Sequence, residues 1–268
     1  MIRWFEHHKV YAPLRQMLVH SDDLPHACQE VRLQAADQTS LHGWYFPAIS
    51  AGSPETPVIL YLHGNGGNLS TRIEWYGALL ETGAHVFSID YRGYGLSEGV
   101  PSEEGTYLDA QAAFHWLHQR GHHRIVALGE SLGGGVAAEL AVREKLAGLI
   151  LVNTFTSVTD LGQEMFPWLP VRWFNTIRYH TVEKLARLPR LPVLILHSSE
   201  DRLIDIKHAH RNYEAALRNA SVLKRLHLIL GGHNEPLAAS HTEVVGVIRL
   251  FLDDLCPVPD PSACSHRT

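Results

Sequence analysis

Apolar and polar positions fall into two alternating patterns along this chain. Val58–Leu62 is a continuous apolar run, the pattern of a strand covered on both faces. Similar short runs at His85–Ile89 and at residues 124–128, 149–152, 193–196 and 226–230 predict further strands. Between them, residues 70–81, Glu103–Gln119, Leu132–Arg143 and residues 206–217 carry the spacing of amphipathic helices. Strands that alternate with helices imply an α/β fold with a mostly parallel central sheet and helices on both faces. Ahead of this series, residues 30–34 and 42–46 flank a polar stretch and predict an antiparallel hairpin that opens the fold.

One interval breaks the rhythm. From 153 to 192 there is no strand signal, while Phe155, Phe166, Trp168, Trp173, Phe174 and Tyr179 crowd in with Pro167 and Pro170. An insertion of this size over the carboxyl end of a strand reads as a small lid. Residues 28–255 then form one domain. Residues 1–27 form a segment that packs on it or lies peripheral, and the Pro-rich tail, 256–268, is expected to be mobile.

Composition narrows the function classes. With 268 residues, 45% hydrophobic and 19% charged, the chain can bury a full core, and wound α/β proteins of about 250 residues often form one unit. Lys and Arg number 23 against 28 Asp and Glu, a net charge of −5 that gives no electrostatic reason to bind nucleic acid. Cys28, Cys256 and Cys264 are too few and too scattered for a disulfide framework, so reduced thiols and a cytoplasmic setting are expected. No signal-peptide run is visible, and nowhere do about 18 apolar residues follow one another. Residues 2–18 mix Trp4, Phe5, Val10, Tyr11 and Leu14 with basic residues, and such a stretch more often packs on its own domain than on a membrane.

The strongest chemical signal is Gly129-Glu130-Ser131-Leu132-Gly133, which follows a predicted strand and opens a predicted helix. A serine hydroxyl becomes a useful nucleophile where a sharp strand-to-helix turn exposes it to a base, and small flanking residues permit that turn. Gly134 and Gly135 extend the run and would let the helix lie close to neighbouring strands. The bland reading is a chance match in a Gly-rich turn; its setting between strand and helix favours the nucleophile elbow.

Together with His63-Gly64-Asn65-Gly66-Gly67-Asn68 and Asp90-Tyr91-Arg92-Gly93-Tyr94-Gly95, this motif resembles the α/β-hydrolases, and among them the BEM46-like branch, over roughly residues 28–252. The resemblance implies the α/β-hydrolase fold and a serine hydrolase whose triad runs Ser, acid, His along the chain. Many members of that branch act on esters or have no assigned substrate. In this pattern Asp201 occupies the acid position, the fourth residue after His197, although Ser198 replaces the usual glycine; Glu200 and Asp205 are its rivals. His233, in a glycine-bounded loop after the last strand, takes the base position against His227, His241, His208 and His210. The amides of Leu132 and Asn65 would hold the oxyanion, no cofactor is needed, and no lysine follows the His63 loop in P-loop spacing.

Arg92 and Glu98 read as a buried or half-buried bracing network, and the His85/Asp90 acyltransferase-like spacing as coincidence. The close pairs His7-His8, His122-His123 and His208/His210 lack the spacing of a zinc site and read as solvated, so no metal is expected. Phe155, Phe166, Trp168, Trp173 and Phe174 fit either a plain core or the lining of an acyl pocket. The expected substrate is a small acyl ester or thioester with a hydrophobic acyl group. A serine peptidase or amidase, a protein-deacylating thioesterase, and a non-catalytic protein that binds a partner through the lid stand as alternatives.

Overall fold

The five side chains of Val58–Leu62 are apolar because each is buried, and they alternate between two cores. Val58, Leu60 and Leu62 join one apolar cluster, Ile59 and Tyr61 the other. The computed structural model describes residues 2–50, 55–188, 190–218 and 223–255; the side chains of residues 2–4, Trp4 included, and the tail with Cys256 and Cys264 lie outside the described set.

In chain order the elements are α1 (Ile2–Val10), β1 (Ala12–Pro13), β2 (Gln29–Gln34), β3 (Ser40–Phe46), β4 (Val58–Leu62), β5 (Gly66–Gly67), α2 (Ile73–Glu81), β6 (His85–Ile89) and α3 (Glu103–Gln119). They continue with β7 (Ile125–Glu130), α4 (Leu132–Arg143), β8 (Gly148–Val152), α5 (Val158–Met165), α6 (Val171–Phe174), α7 (Thr181–Arg187), β9 (Val193–Ser198), α8 (Lys207–Leu217), β10 (Lys224–Ile229) and α9 (Pro236–Asp254). Eight strands form one sheet in the order β10-β9-β8-β7-β4-β6-β3-β2. The run from β6 through β4 to β10 is parallel, and β3 and β2 add an antiparallel edge, the hairpin expected from the sequence.

Helices cover both faces. Side chains of α2 and α9 fill one core, and those of α3, α4, α7 and α8 fill the other. Helix starts follow local chemistry: Ser102 caps α3 by accepting from the Gly105 amide, and Ser157 caps α5 by accepting from Asp160. The helix predicted from residue 70 begins at Ile73, because Asn68 caps a short 3-10 turn over Leu69–Thr71 first. Among the described residues no helix is long and apolar enough to cross a membrane.

The chain leaves β4 towards β6 on one side and returns through α3 to β7 on the other. The carboxyl ends of β4 and β7 therefore flank the point where strand order reverses, the place where open α/β sheets form a crevice.

Candidate active site

Ser131 stands in the turn between β7 and α4 with φ +52° and ψ −113°, a conformation rare for a residue with a Cβ. The turn is clamped on both sides: the Ser131 amide donates to Val152 O at 2.9 Å, and the Gly134 amide donates to Ser131 O at 3.0 Å. Its glycines are dictated by close packing. A Cβ on Gly133 would fall 2.0 Å from Leu62 O, and one on Gly134 would fall 2.0 Å from Thr154 Oγ1. Only a helix with a bare first turn can approach the ends of β4 and β8 this closely.

The loop after β10 brings His233 to this turn, with Nε2 3.1 Å from Ser131 Oγ. On the other side of the ring, Nδ1 lies 2.7 Å from Asp201 Oδ2, in the loop after β9. Asp201 Oδ1 accepts from the Leu203 and Ile204 amides, both at 2.8 Å. Burial alone would raise the Asp201 pKa, but the His233 hydrogen bond and these amides outweigh it and hold the carboxyl below its ordinary value. An ionised Asp201 makes Nδ1 the donor, which leaves Nε2 free to accept the serine proton. The rival groups are elsewhere: Glu200 is exposed, Asp205 caps the Lys207 amide, His227 pairs with Glu243 and His241 with Glu81.

The His63–Gly67 loop runs past the same turn; a Cβ on Gly64 would sit 3.6 Å from Ser131 Cβ. His63 Nδ1 donates to Gly64 O at 2.7 Å, which fixes the 64–65 peptide and turns the Asn65 N–H to the side away from the imidazole. Desolvation by burial lowers the His63 pKa to about 4, against the pull of Asp90, so the ring stays neutral. The Leu132 amide opens α4 and has no partner within the helix.

The structure also recruits residues that the sequence did not single out. Asn153, with φ +47° just past β8, donates from Nδ2 to Ser198 Oγ (3.0 Å) and His233 O (3.1 Å), and accepts from the Ser198 amide (2.7 Å). Ser198, which stands in place of the usual glycine, is thus half of a clamp joining the β8, β9 and His233 loops. Asparagine's tolerance of positive φ, directly after an apolar run, was the available signal. Arg72 links the Glu130 carboxylate (3.2 Å) to Gly66 O (2.7 Å), tying the elbow to the His63 loop.

Of the five aromatic candidates, Phe166 and Phe174 line an apolar cavity of about 100 Å³ with Phe5, Val10 and Val158, whereas Phe155 is buried in the main core. Trp168 and Trp173 are 78% and 84% exposed and line neither this cavity nor the one of about 350 Å³ between Arg72, Trp75, Glu130, Asn234 and Leu237. Arg92 is buried against Asp109 and Asp37, but Glu98 is exposed and joins only through its backbone, because its turn faces outward. His208 is not solvated: it is buried, accepting from the Thr156 amide and facing Glu164. His85 and Asp90 have separate partners, Tyr45 and the Leu69 amide. Cys28 is a free thiol whose pKa burial pushes up to about 12. Among the described residues, no cluster of three His, Cys, Asp or Glu side chains could hold a metal ion.

A family model described as alpha/beta hydrolase fold matches residues 57–188. The chain is 35% identical over 259 residues to the uncharacterized protein Rv2307c of Mycobacterium tuberculosis, covering 95% of this chain and 90% of that protein. It is 34% identical over 188 residues to the protein bem46 of Schizosaccharomyces pombe, covering 66% of this chain and 61% of that one. Among solved structures it is similar to the esterase Pf2001 of Pyrococcus furiosus, with a TM-score of 0.75 at 19% identity over 93% of this chain and 99% of that one.

Proposed function

The chain belongs to the α/β-hydrolase family, in its BEM46-like branch, and from that premise we propose that it is a serine hydrolase cleaving carboxylic esters or thioesters with a hydrophobic acyl group. The observation that carries this reading is the unbroken hydrogen-bonded line from Ser131 Oγ through His233 to Asp201.

In the first half-reaction Ser131 Oγ attacks the acyl carbonyl while His233 Nε2 takes the hydroxyl proton, and Asp201 stabilises the resulting imidazolium without itself being protonated. The amides of Leu132 and Asn65 receive the oxyanion. Collapse of this tetrahedral species passes the proton from His233 to the departing alkoxide or thiolate and leaves an acyl-serine. Water, deprotonated by His233, then attacks the acyl group, and a second collapse releases the carboxylic acid and restores Ser131. Residues 28–255 serve as one catalytic domain in this reading, and residues 153–192 as the lid over its crevice. The preference for a hydrophobic acyl group rests on the apolar character of the 153–192 segment, in which Phe166, Leu169, Val171 and Phe174 line one apolar cavity.

The test is labelling by a fluorophosphonate, followed by turnover of nitrophenyl esters of increasing acyl length. Ser131→Ala and His233→Ala should each abolish labelling and lower kcat on the order of 10⁶-fold. Wild-type protein that neither labels nor turns over any ester would refute the reading.

A further inference from the structure

Residues 11–18 make contacts that the proposed chemistry does not use. The short strand β1 pairs in parallel with β5, Ala12 opposite Gly66 and Pro13 opposite Gly67. The Ala12 amide donates to Asn65 O at 3.1 Å and the Leu14 amide to Gly67 O at 3.0 Å. The buried Asn68 side chain donates back to Leu14 O (3.0 Å) and Gln16 O (2.8 Å), and the Leu18 amide donates to Ser70 Oγ (2.8 Å). This segment is anchored in turn. The buried Tyr11 hydroxyl meets that of Tyr179 at 3.0 Å, and Glu6 in α1 accepts from the amides of Thr176 and Ile177.

A loop that reads His-Gly-Asn-Gly-Gly has many backbone states open to it, and Gly67 sits at φ +79°. A backbone donor stabilises an oxyanion well only if it already points at the site when charge develops. His63 fixes the peptide before Asn65; the bonds from Ala12 and Leu14 fix Asn65 O and Gly67 O after it, alongside the Tyr94 hydroxyl on Asn65 O (2.8 Å) and Arg72 on Gly66 O. We propose that residues 11–18 are a positioning strap for the oxyanion hole, acting through the Ala12 and Leu14 amides on the Asn65 peptide. This rests on the assignment of Asn65 as an oxyanion donor.

Ala12→Pro and Leu14→Pro, each in the full chain, delete one strap donor apiece; Pro13 already carries proline geometry between them. Three readouts decide: hydrogen exchange of the amides at residues 64–68, the separate values of kcat and KM for a nitrophenyl ester, and affinity for a phenylboronic acid that forms a tetrahedral adduct on Ser131. The expected result is loop exchange at least about tenfold faster, kcat and boronate affinity both about tenfold lower, and KM within about twofold, a partial form of the 10²–10³ loss when a donor is removed outright. A merely structural strap would lower the thermal midpoint and leave kcat per folded molecule intact, which overturns the proposal, as does loop exchange that stays slow. Should the proline variants fail to fold, Asn68→Asp keeps the acceptor for Ser70 and removes both donors to the strap, and is judged by the same readouts. An unsubstituted chain that turns over no ester overturns the hydrolase reading and the positioning role with it, and is recognised before any strap variant is made.

Discussion

The strand-end loops around Ser131 and the segment at 158–174 are built in opposite ways. Ser131, His63, Asn153 and Asp201 sit at the ends of buried parallel strands, each held by two or more hydrogen bonds, and two of them occupy positive φ. In the other region Trp168, between α5 and the short α6, and Trp173, within α6, stand largely in solvent. Bond-making groups profit from being fixed before the substrate arrives, and the surrounding sheet offsets the strain that this fixing costs. The outer segment carries none of these strand-end residues, so its exposed surface can change without disturbing Ser131.

The same substitution in both regions breaks the comparison most sharply. Gly133→Ala drives a Cβ against the backbone oxygen of Leu62, which no rotamer change can relieve, so a loss of about 3 kcal/mol or more is expected in urea unfolding. Activity should fall with it, because α4 cannot move off β4 without moving Ser131. Gly162→Ala in α5 meets only a methyl of the half-buried Val171, at 3.2 Å, which the short α6 can yield by a few tenths of an ångström, and should change stability by about 1 kcal/mol or less, in either direction. Equal costs at the two glycines would erase the distinction.

A second difference is in the response to acid. His63 is fully buried with its pKa lowered to about 4, whereas the unfolded chain would protonate it near its ordinary value of 6.5. A depressed folded-state pKa means that the histidine's contribution is complete above pH 6.5 and is lost as pH falls towards 4, where the folded form at last binds the proton. Over that window the loss is about 3 kcal/mol, the shift converted at about 1.4 kcal/mol per pH unit. His63→Asn retains a donor towards Gly64 O and cannot titrate. Urea titrations at several pH values should therefore show wild type losing stability relative to H63N between pH 6.5 and 4, and parallel curves would refute the assignment.

These contrasts also explain what the sequence could reveal. Val58–Leu62, His85–Ile89 and Glu103–Gln119 were legible to the residue because an apolar run or a capped amphipathic pattern is local. Ser131 and His233 could be named since each stands beside a strand end with glycines around it, and Asp201 from the acid position it holds in the α/β-hydrolase pattern; the structure brings their side chains within hydrogen-bonding reach. The Asn153–Ser198 clamp, the Arg72–Glu130 pair and the strap at 11–18 join positions some 45 to 58 residues apart with no periodic signature. Pattern alone could not see them. It also left the aromatic residues of 153–192 undivided, because a run of Phe and Trp has the same appearance whether it faces a core or water.

That division gives the smallest effect and the finest test. Phe155 is packed in the main core, so Phe155→Ala should cost about 3 kcal/mol or more. Trp168 and Trp173 leave most of their surface in water, and exposed positions of this kind shift stability by about 0.5 kcal/mol or less when truncated. Thermal and urea unfolding of Trp168→Ala and Trp173→Ala should therefore overlay wild type, and turnover of a nitrophenyl acetate should be unchanged, since neither indole lines the cavity at Glu130 and Asn234, the chain neighbours of Ser131 and His233. If these rings meet the substrate at all, they do so with the far end of a long acyl chain, and the two variants would raise KM for long esters alone. A Trp173→Ala variant that lost about 2 kcal/mol of stability would instead make the outer segment a second core, and the two regions would no longer differ in kind.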